Sequence, residues 1–453
     1  MKHFKNRTAA AVIAIASMAS PAVAETLTDA LVTSYRTSGL IDQNRAVLRA
    51  ADEDVAQAVA ALRPAIAYAL GANYVDPTFG DELTGSLAVT ANMLLYDFGR
   101  SRLAVDAAKE TVLATRAALV DVENTVLLNT VTAYMSVRRS EAFVNLRENN
   151  VRLLTEQLRA TRDRFEVGEV TRTDVSLAEA RLAAARSGLA AEQGGLARAK
   201  EQYKAVVGRY PGVLAAPPRA PAVPGTEEAA RAVARQENPQ VLQIQHQVKA
   251  TELVAEQAAL SKYPTLSANG RVGIDQDGED SLSLGVTLGG PIYQGGAIAS
   301  GVRQAQAQKD QVRALLYTTG LLVDQQVGNA YANLAVAVAS IDASDRQVKA
   351  AQLALEGVRE ELQLGARTTL EVLDQEQELL DAQTNRVAAE VDRYLAVYQV
   401  LDAMGLLTAE RLALNVPIYD PAAYYNAVKD APGGAFSDEG RRLDRVLRAI
   451  GRE

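Results

Sequence analysis

The chain has 453 residues, a net charge of -8, 48% apolar but only 5% aromatic residues, no cysteine, and two histidines, His3 and His246. Without thiols there is no disulfide or thiolate chemistry, and two distant histidines make no metal cluster, so no cofactor is expected. The acidic balance argues against a nucleic-acid partner, and apolar content drawn largely from alanine favours long, thin helices over a thick core.

In chain order, Lys2, Lys5 and Arg7 precede the apolar run AAAVIAIASMA and the small-residue pattern Ala22-Val23-Ala24. That reads as a secretory signal peptide over 1–24, cut after Ala24. Its removal leaves a mature charge near -11, because three positive charges are lost. A first repeat is expected over 25–210: a helix over 27–62 stopped by Pro64, a β-hairpin over about 65–95, a long helix over 98–164, a turn at Gly168 and a return helix over 171–208. PGVLAAPPRAPAVPG (211–225) is an extended linker, because its interior prolines forbid a helix. A second repeat is expected over 226–410: a helix over 226–262 stopped by Pro264, a hairpin over 265–290, a long helix over 297–363, a turn at Gly365 and a return helix over 368–406. The tail, 411–453, is irregular, ends in the basic stretch EGRRLDRVLRAIG, and is expected to be peripheral or mobile.

The two repeats are copies. Tyr134 and Tyr331, FEVGEVTRTDV and LQLGARTTLEV, and Glu179 and Glu376 all recur at a spacing of 197. The strands alternate strictly. Ile66, Tyr68, Leu70 and Tyr74 interleave with Ala65, Ala67, Ala69 and Gly71; Leu282, Leu284, Val286 and Leu288 interleave with Ser281, Ser283, Gly285 and Thr287. One apolar and one small, polar face, over about 9–11 residues, is the pattern of a bilayer-crossing strand. Tyr74, Tyr96, Tyr263 and Tyr293 stand where an aromatic girdle would lie. Acidic residues, Asp76, Asp81 and Glu82, then Asp275, Asp277, Glu279 and Asp280, surround the hairpin turns. Four strands cannot close a barrel, and open edges are intolerable in hydrocarbon, so copies must share one wall. Two copies would make a barrel filled by its own side chains, so three fit better. Helices of ~67 residues reach ~100 Å and need side-by-side packing.

The duplicated plan, VGEVTRTDV with Glu179, LGARTTLEVLDQEQ, and the strand-to-helix segments NMLLYDFGR and GGPIYQGGA resemble the TolC-type outer-membrane factor family over roughly 27–410. The resemblance implies a mixed α/β membrane protein: a homotrimer whose transmembrane β-barrel of twelve strands runs into a periplasmic tunnel of twelve helical columns. It implies a passive export channel in the outer membrane of a Gram-negative cell, in contact with outer-membrane lipid. Its partners would be a periplasmic adaptor (membrane fusion protein) and an inner-membrane transporter of ABC, RND or similar type.

The same resemblance places Glu371 and Asp374 where acidic rings line the pore aperture. They lie three apart on a helix and can share a face; such rings would attract cations, and like charges gathered at a closed tip raise carboxylate pKa values. Arg367 stands at the family's gate latch, with Thr173 and Asp174 as expected partners, while Leu362 replaces a tyrosine often found there. Gly168 and Gly365 would form the tip turns where the adaptor docks. No enzyme is expected: Glu356, Glu360 and Glu361 read as solvated charge, the glycines around Pro291 lack a nucleotide-loop lysine, and His246 reads as a surface residue. A periplasmic coiled-coil adaptor and a structural surface protein without channel activity are the alternatives. The lack of a mature N-terminal cysteine leaves no lipid anchor and slightly favours type I secretion over drug efflux.

Overall fold

The structure is a computed structural model that describes residues 24–75, 82–430 and 437–450. The expected signal peptide up to residue 23, Asp76, Asp81 and the six residues 431–436 lie outside the described residues.

The first repeat comprises α1 (Leu27–Thr37), α2 (Gly39–Ala60), β1 (Ala65–Val75), β2 (Glu82–Tyr96), α3 (Arg100–Glu166) and α4 (Arg172–Val207). The second comprises α5 (Glu227–Glu237), α6 (Pro239–Ala259), a short 3-10 turn (Leu260–Lys262), β3 (Thr265–Asp275), β4 (Asp280–Gly289), α7 (Ala297–Gln363) and α8 (Thr369–Ala403). Two short helices follow, α9 (Pro421–Val428) and α10 (Asp438–Ile450).

The single helices expected over 27–62 and 226–262 are each broken once, at matching places. Ser38 and Asn238 are both extended (ψ 107° and 125°), and each ends one helix while capping the next. Ser38 Oγ accepts from the Ile41 N–H at 3.4 Å and Asn238 Oδ1 from the Gln240 N–H at 2.9 Å. Pro239 opens α6, where its missing N–H costs nothing.

The four strands form one antiparallel sheet in the order β1-β2-β3-β4. Its registers carry a single apolar face across all four. Tyr68 lies opposite Val89, Val89 opposite Val272, and Val272 opposite Leu282. One row over, Leu70, Leu87 and Ile274 are aligned. The opposite face carries Ala67, Thr90, Arg271 and Ser283 in the same alignment. Among the described residues nothing covers the apolar face: Tyr68, Leu70 and Leu284 are 82%, 80% and 81% exposed. Such a contiguous surface requires an apolar neighbour. Strands β1 and β4 are the sheet's free edges. At its base the rings of Tyr96 and Phe98 lie 4.9 Å apart and those of Phe98 and Tyr263 stack at 4.8 Å. No helix among the described residues is long and apolar enough to cross a membrane.

The main core lies midway along the long helices, where α1, α3, α4, α5, α7 and α8 bury Leu27, Leu127, Tyr134, Tyr203, Ala230, Val327 and Val400. It explains the repeated tyrosines. Tyr134 Oη reaches the Ala215 carbonyl (2.7 Å) and Tyr331 Oη donates to the Pro224 carbonyl (2.8 Å), so each copy holds one end of the proline-rich linker. Glu25 joins this belt. Its N–H donates to the Val213 carbonyl (2.8 Å), and its carboxylate accepts from Tyr203 and Arg209, both at 2.8 Å.

Two expectations change. His246 is not a bare surface group: its Nδ1 lies 2.7 Å from Glu110 Oε2, joining α6 to α3. The tail is not peripheral over 419–430. Tyr419 and Tyr425 pack on Leu48, Val55 and Val112 of α2 and α3, and Arg45 and Arg116 lie over their rings at 5.1 and 5.3 Å. These tyrosines supply an apolar face and an aromatic seat for arginine, enough to hold α9 down.

Candidate functional site at the helical tip

The two hairpin tips are built by the same local chemistry. At the end of α3, Gly168 is left-handed (φ 81°), and the Glu169 N–H returns to the Arg164 carbonyl at 2.9 Å. At the end of α7, Gly365 is left-handed (φ 75°), and the Ala366 N–H returns to the Glu361 carbonyl at 2.9 Å. A Cβ at either glycine would meet open space, so the backbone angle is what calls for glycine.

Each return helix then starts with a capping box. Thr171 and Asp174 exchange bonds at the head of α4: the Thr171 N–H donates to Asp174 at 2.8 Å and the Asp174 N–H donates to Thr171 Oγ1 at 3.4 Å. Thr368 and Glu371 do the same at the head of α8, at 2.8 and 3.3 Å. An arginine crosses each hairpin to the repeated glutamate: Arg162 to Glu179 at 2.5 Å, and Arg359 to Glu376 at 2.8 Å.

The tips differ in what is added. Arg367 donates to Glu361 (2.6 Å) and to Glu371 (2.8 Å), bridging the two sides of the second turn. The matching position in the first tip is Val170. Asp374 pairs with Arg181 of α4 at 2.5 Å, tying the second hairpin to the first. Beneath that pair, Leu373 packs with Leu154, Leu158, Ala178 and Leu182.

Of the residues singled out in the sequence, the structure brings Arg367 and Glu371 into direct contact. Thr173 is exposed, and Asp174 is engaged in its own capping box. Within one chain, then, the arginine's partners are Glu361 and Glu371. Glu361 is therefore more than solvated helix charge. Arg181 carried no signal in the sequence, because its partner lies 193 residues away. Within one chain the electrostatics of Glu371 are set by its own capping box and by Arg367, apart from any repulsion between copies. The Thr368 N–H, the Arg367 guanidinium and the Thr368 hydroxyl lower its pKa to about 2. Within one chain it is a firmly ionised carboxylate. Among the described residues, no cluster of His, Asp and Glu could hold a metal.

The profile of the Outer membrane efflux protein family matches residues 38–209 and 231–406, the two repeats in turn. The chain belongs to this family. It is 36% identical over 429 residues to the outer membrane efflux protein BepC of Brucella suis, covering 93% of this chain and 94% of that protein. It is 25% identical over 323 residues to the outer membrane protein TolC of Escherichia coli, covering 66% of each. The crystal structure of the Campylobacter jejuni CmeC outer membrane channel has the same fold, with a TM-score of 0.76 and 14% identity over 91% of each chain. The efflux-family chain is thus a TolC-type channel protein of the outer membrane, non-catalytic, with its helices in the periplasm. The exposed apolar face of its sheet has the composition of a lipid-facing surface.

Proposed function

We propose that three copies of this chain close one passive export duct, each giving four strands to a twelve-stranded barrel and four helical columns to a tunnel. The observation that carries this is the four-stranded sheet with an exposed apolar face and two free edges, β1 and β4. In hydrocarbon those edges need partners, and β4 of one copy beside β1 of the next supplies them. The opposite face is lined by small and polar residues, which leaves a lumen open in a twelve-stranded wall but not in one of eight.

In this reading the tip is the gate. Glu371 and Asp374 repeat around the axis as two acidic rings. Arg367 holds the second turn closed through Glu361 and Glu371, and Arg181 holds Asp374 to the first hairpin. Thr173 and Asp174 of the adjacent first-repeat tip complete this latch as further partners of Arg367 in the closed assembly, and opening breaks these pairs. A periplasmic adaptor docks at the turns around Gly168 and Gly365, and an inner-membrane transporter of ABC, RND or similar type supplies the energy. The relatives give no basis for favouring type I secretion over efflux: the 36% identical protein is named for efflux and a 24% identical one, AprF of Pseudomonas aeruginosa, for alkaline protease secretion. We infer that the transporter, not this chain, selects the cargo.

Planar-bilayer recording tests the duct. Purified protein is expected to give small, cation-selective conductance steps that grow in an Arg181→Ala, Arg367→Ala double variant. A folded, membrane-inserted protein that gives no steps in either form would refute the reading.

A further inference from the structure

The tail climbs along α2 toward the sheet, in order. Arg45 lies over the Tyr419 ring, Tyr424 Oη donates to Glu53 at 2.7 Å, and Arg63 donates to the Asp430 carbonyl. Arg63 is two residues from the first residue of β1. The chain therefore leaves Asp430 at the base of the lipid-facing sheet, beside the level of the Tyr96–Phe98–Tyr263 collar. Helix α10 starts at Asp438, and eight residue steps span no more than about 28 Å. The start of α10 therefore lies within that reach of the sheet's base.

Its sequence, DEGRRLDRVLRAI, puts apolar residues at 443, 446, 447 and 450 and arginines at 441, 442, 445 and 448. At helical spacing these are opposite sides of one helix. Its three acids include Asp438 and Glu439 in the first turn, where a helix N-terminus favours negative charge. Arg441 pairs with Asp438 at 2.5 Å within the helix, whereas Arg442 and Arg445 have no acidic partner among the described residues. Val446 is 51% exposed. A short helix with an apolar row, an arginine row and a start within reach of the sheet's base has the form of an interfacial anchor.

We propose that α10 lies on the periplasm-facing leaflet of the outer membrane, its apolar row among the acyl chains and Arg442 and Arg445 on anionic phospholipid headgroups. This rests on the outer-membrane placement of the sheet. Each arginine near an anionic surface raises the surface-bound equilibrium roughly fivefold, and salt screens the effect.

The chain contains no cysteine, so single labels are unambiguous. An environment-sensitive fluorophore is attached at Val446→Cys, at Leu284→Cys on the sheet and at Ala366→Cys on the tip. Each protein is reconstituted in phosphatidylcholine vesicles with or without phosphatidylglycerol, with brominated acyl chains as quencher. The label at 446 is expected to be blue-shifted and quenched with phosphatidylglycerol, less so in phosphatidylcholine alone. High salt or the Arg442→Gln, Arg445→Gln pair is expected to reverse the effect. The label at 284 is quenched in both lipids and the label at 366 in neither. Quenching at 284 without quenching at 446 overturns the anchor and leaves the barrel standing. Equal quenching at 446 in both lipids, insensitive to salt, also overturns it. A blue shift at 446 in detergent that lipid does not quench means that protein covers the helix, which overturns it too. Lack of quenching at 284 removes the sheet's placement and the anchor together.

Discussion

Asp52→Asn is the sharpest probe of how the tail is held. Asp52 of α2 is fully enclosed, and neither carboxylate oxygen has a hydrogen-bond partner. Beside it the Tyr419 hydroxyl and the Nε atoms of Arg45 and Arg116 are also buried and unpaired. Burial raises the Asp52 pKa to about 6, with Arg116 opposing and Glu53 reinforcing the shift. Because the folded pKa lies above the ordinary value of 3.8, the folded form holds its proton more tightly than the opened form. Stability is then greatest below about pH 4, falls as pH rises toward about 6, and stays at the lower level above that. A shift of two units corresponds to a cost of about 1–3 kcal/mol at neutral pH once solvent relaxation is allowed for. Opening the tail readmits water to this carboxylate, so the neutral asparagine relieves the cost only in the closed form. Hydrogen exchange of the α9 amides (421–428) is expected to slow roughly 5- to 100-fold in Asp52→Asn near neutral pH, with the difference vanishing below about pH 4. Faster exchange in the variant at neutral pH would refute the reasoning. It would show Asp52 ionised and paired with Arg45 or Arg116.

The sheet's two faces predict opposite tolerances. Leu284→Arg on the apolar face should cost about 2–4 kcal/mol and lower the amount of folded protein in the membrane, whereas Ser283→Arg on the lumen face should insert normally and alter ion selectivity. Gly365→Ala should destabilise the second tip by about 1–2 kcal/mol, because the left-handed backbone and not the space is at stake; protease sensitivity confined to the tip checks it. Glu371 is held ionised to about pH 2 by Thr368 and Arg367, so its contribution is present above its ordinary pKa and is lost only as pH falls toward 2. The conductance ratio of Glu371→Gln to wild type is therefore expected to stay constant from neutral pH down to about pH 4.

The sheet was the most legible part of the chain. Strand side chains alternate with a period of two, so the greasy and small faces could be read residue by residue, and the registers put them on opposite sides of one sheet. The duplication was legible because equal chemistry recurs at equal spacing: the capping threonines, the glycine turns and the cross-hairpin arginines obey it. What escaped depended on contacts remote in sequence. The Arg181–Asp374 pair, the pairing of β2 with β3, and the seat of Tyr419 and Tyr425 on α2 leave no periodic trace. The breaks at Ser38 and Asn238 had local signals, a capping serine and an Asn-Pro pair, that the longer apolar pattern of each helix overshadowed.

The central claim is that the free edges β1 and β4 meet between copies. One cysteine in β1, at Ala67 or Ala69, and one in β4, at Ser283 or Thr287, place both thiols on the lumen face in a chain otherwise without cysteine. Oxidation in native membranes is expected to give a covalent ladder on denaturing gels that stops at three chains. Bridges formed only within single chains, or no bridge at any pair in folded protein, would contradict the shared wall.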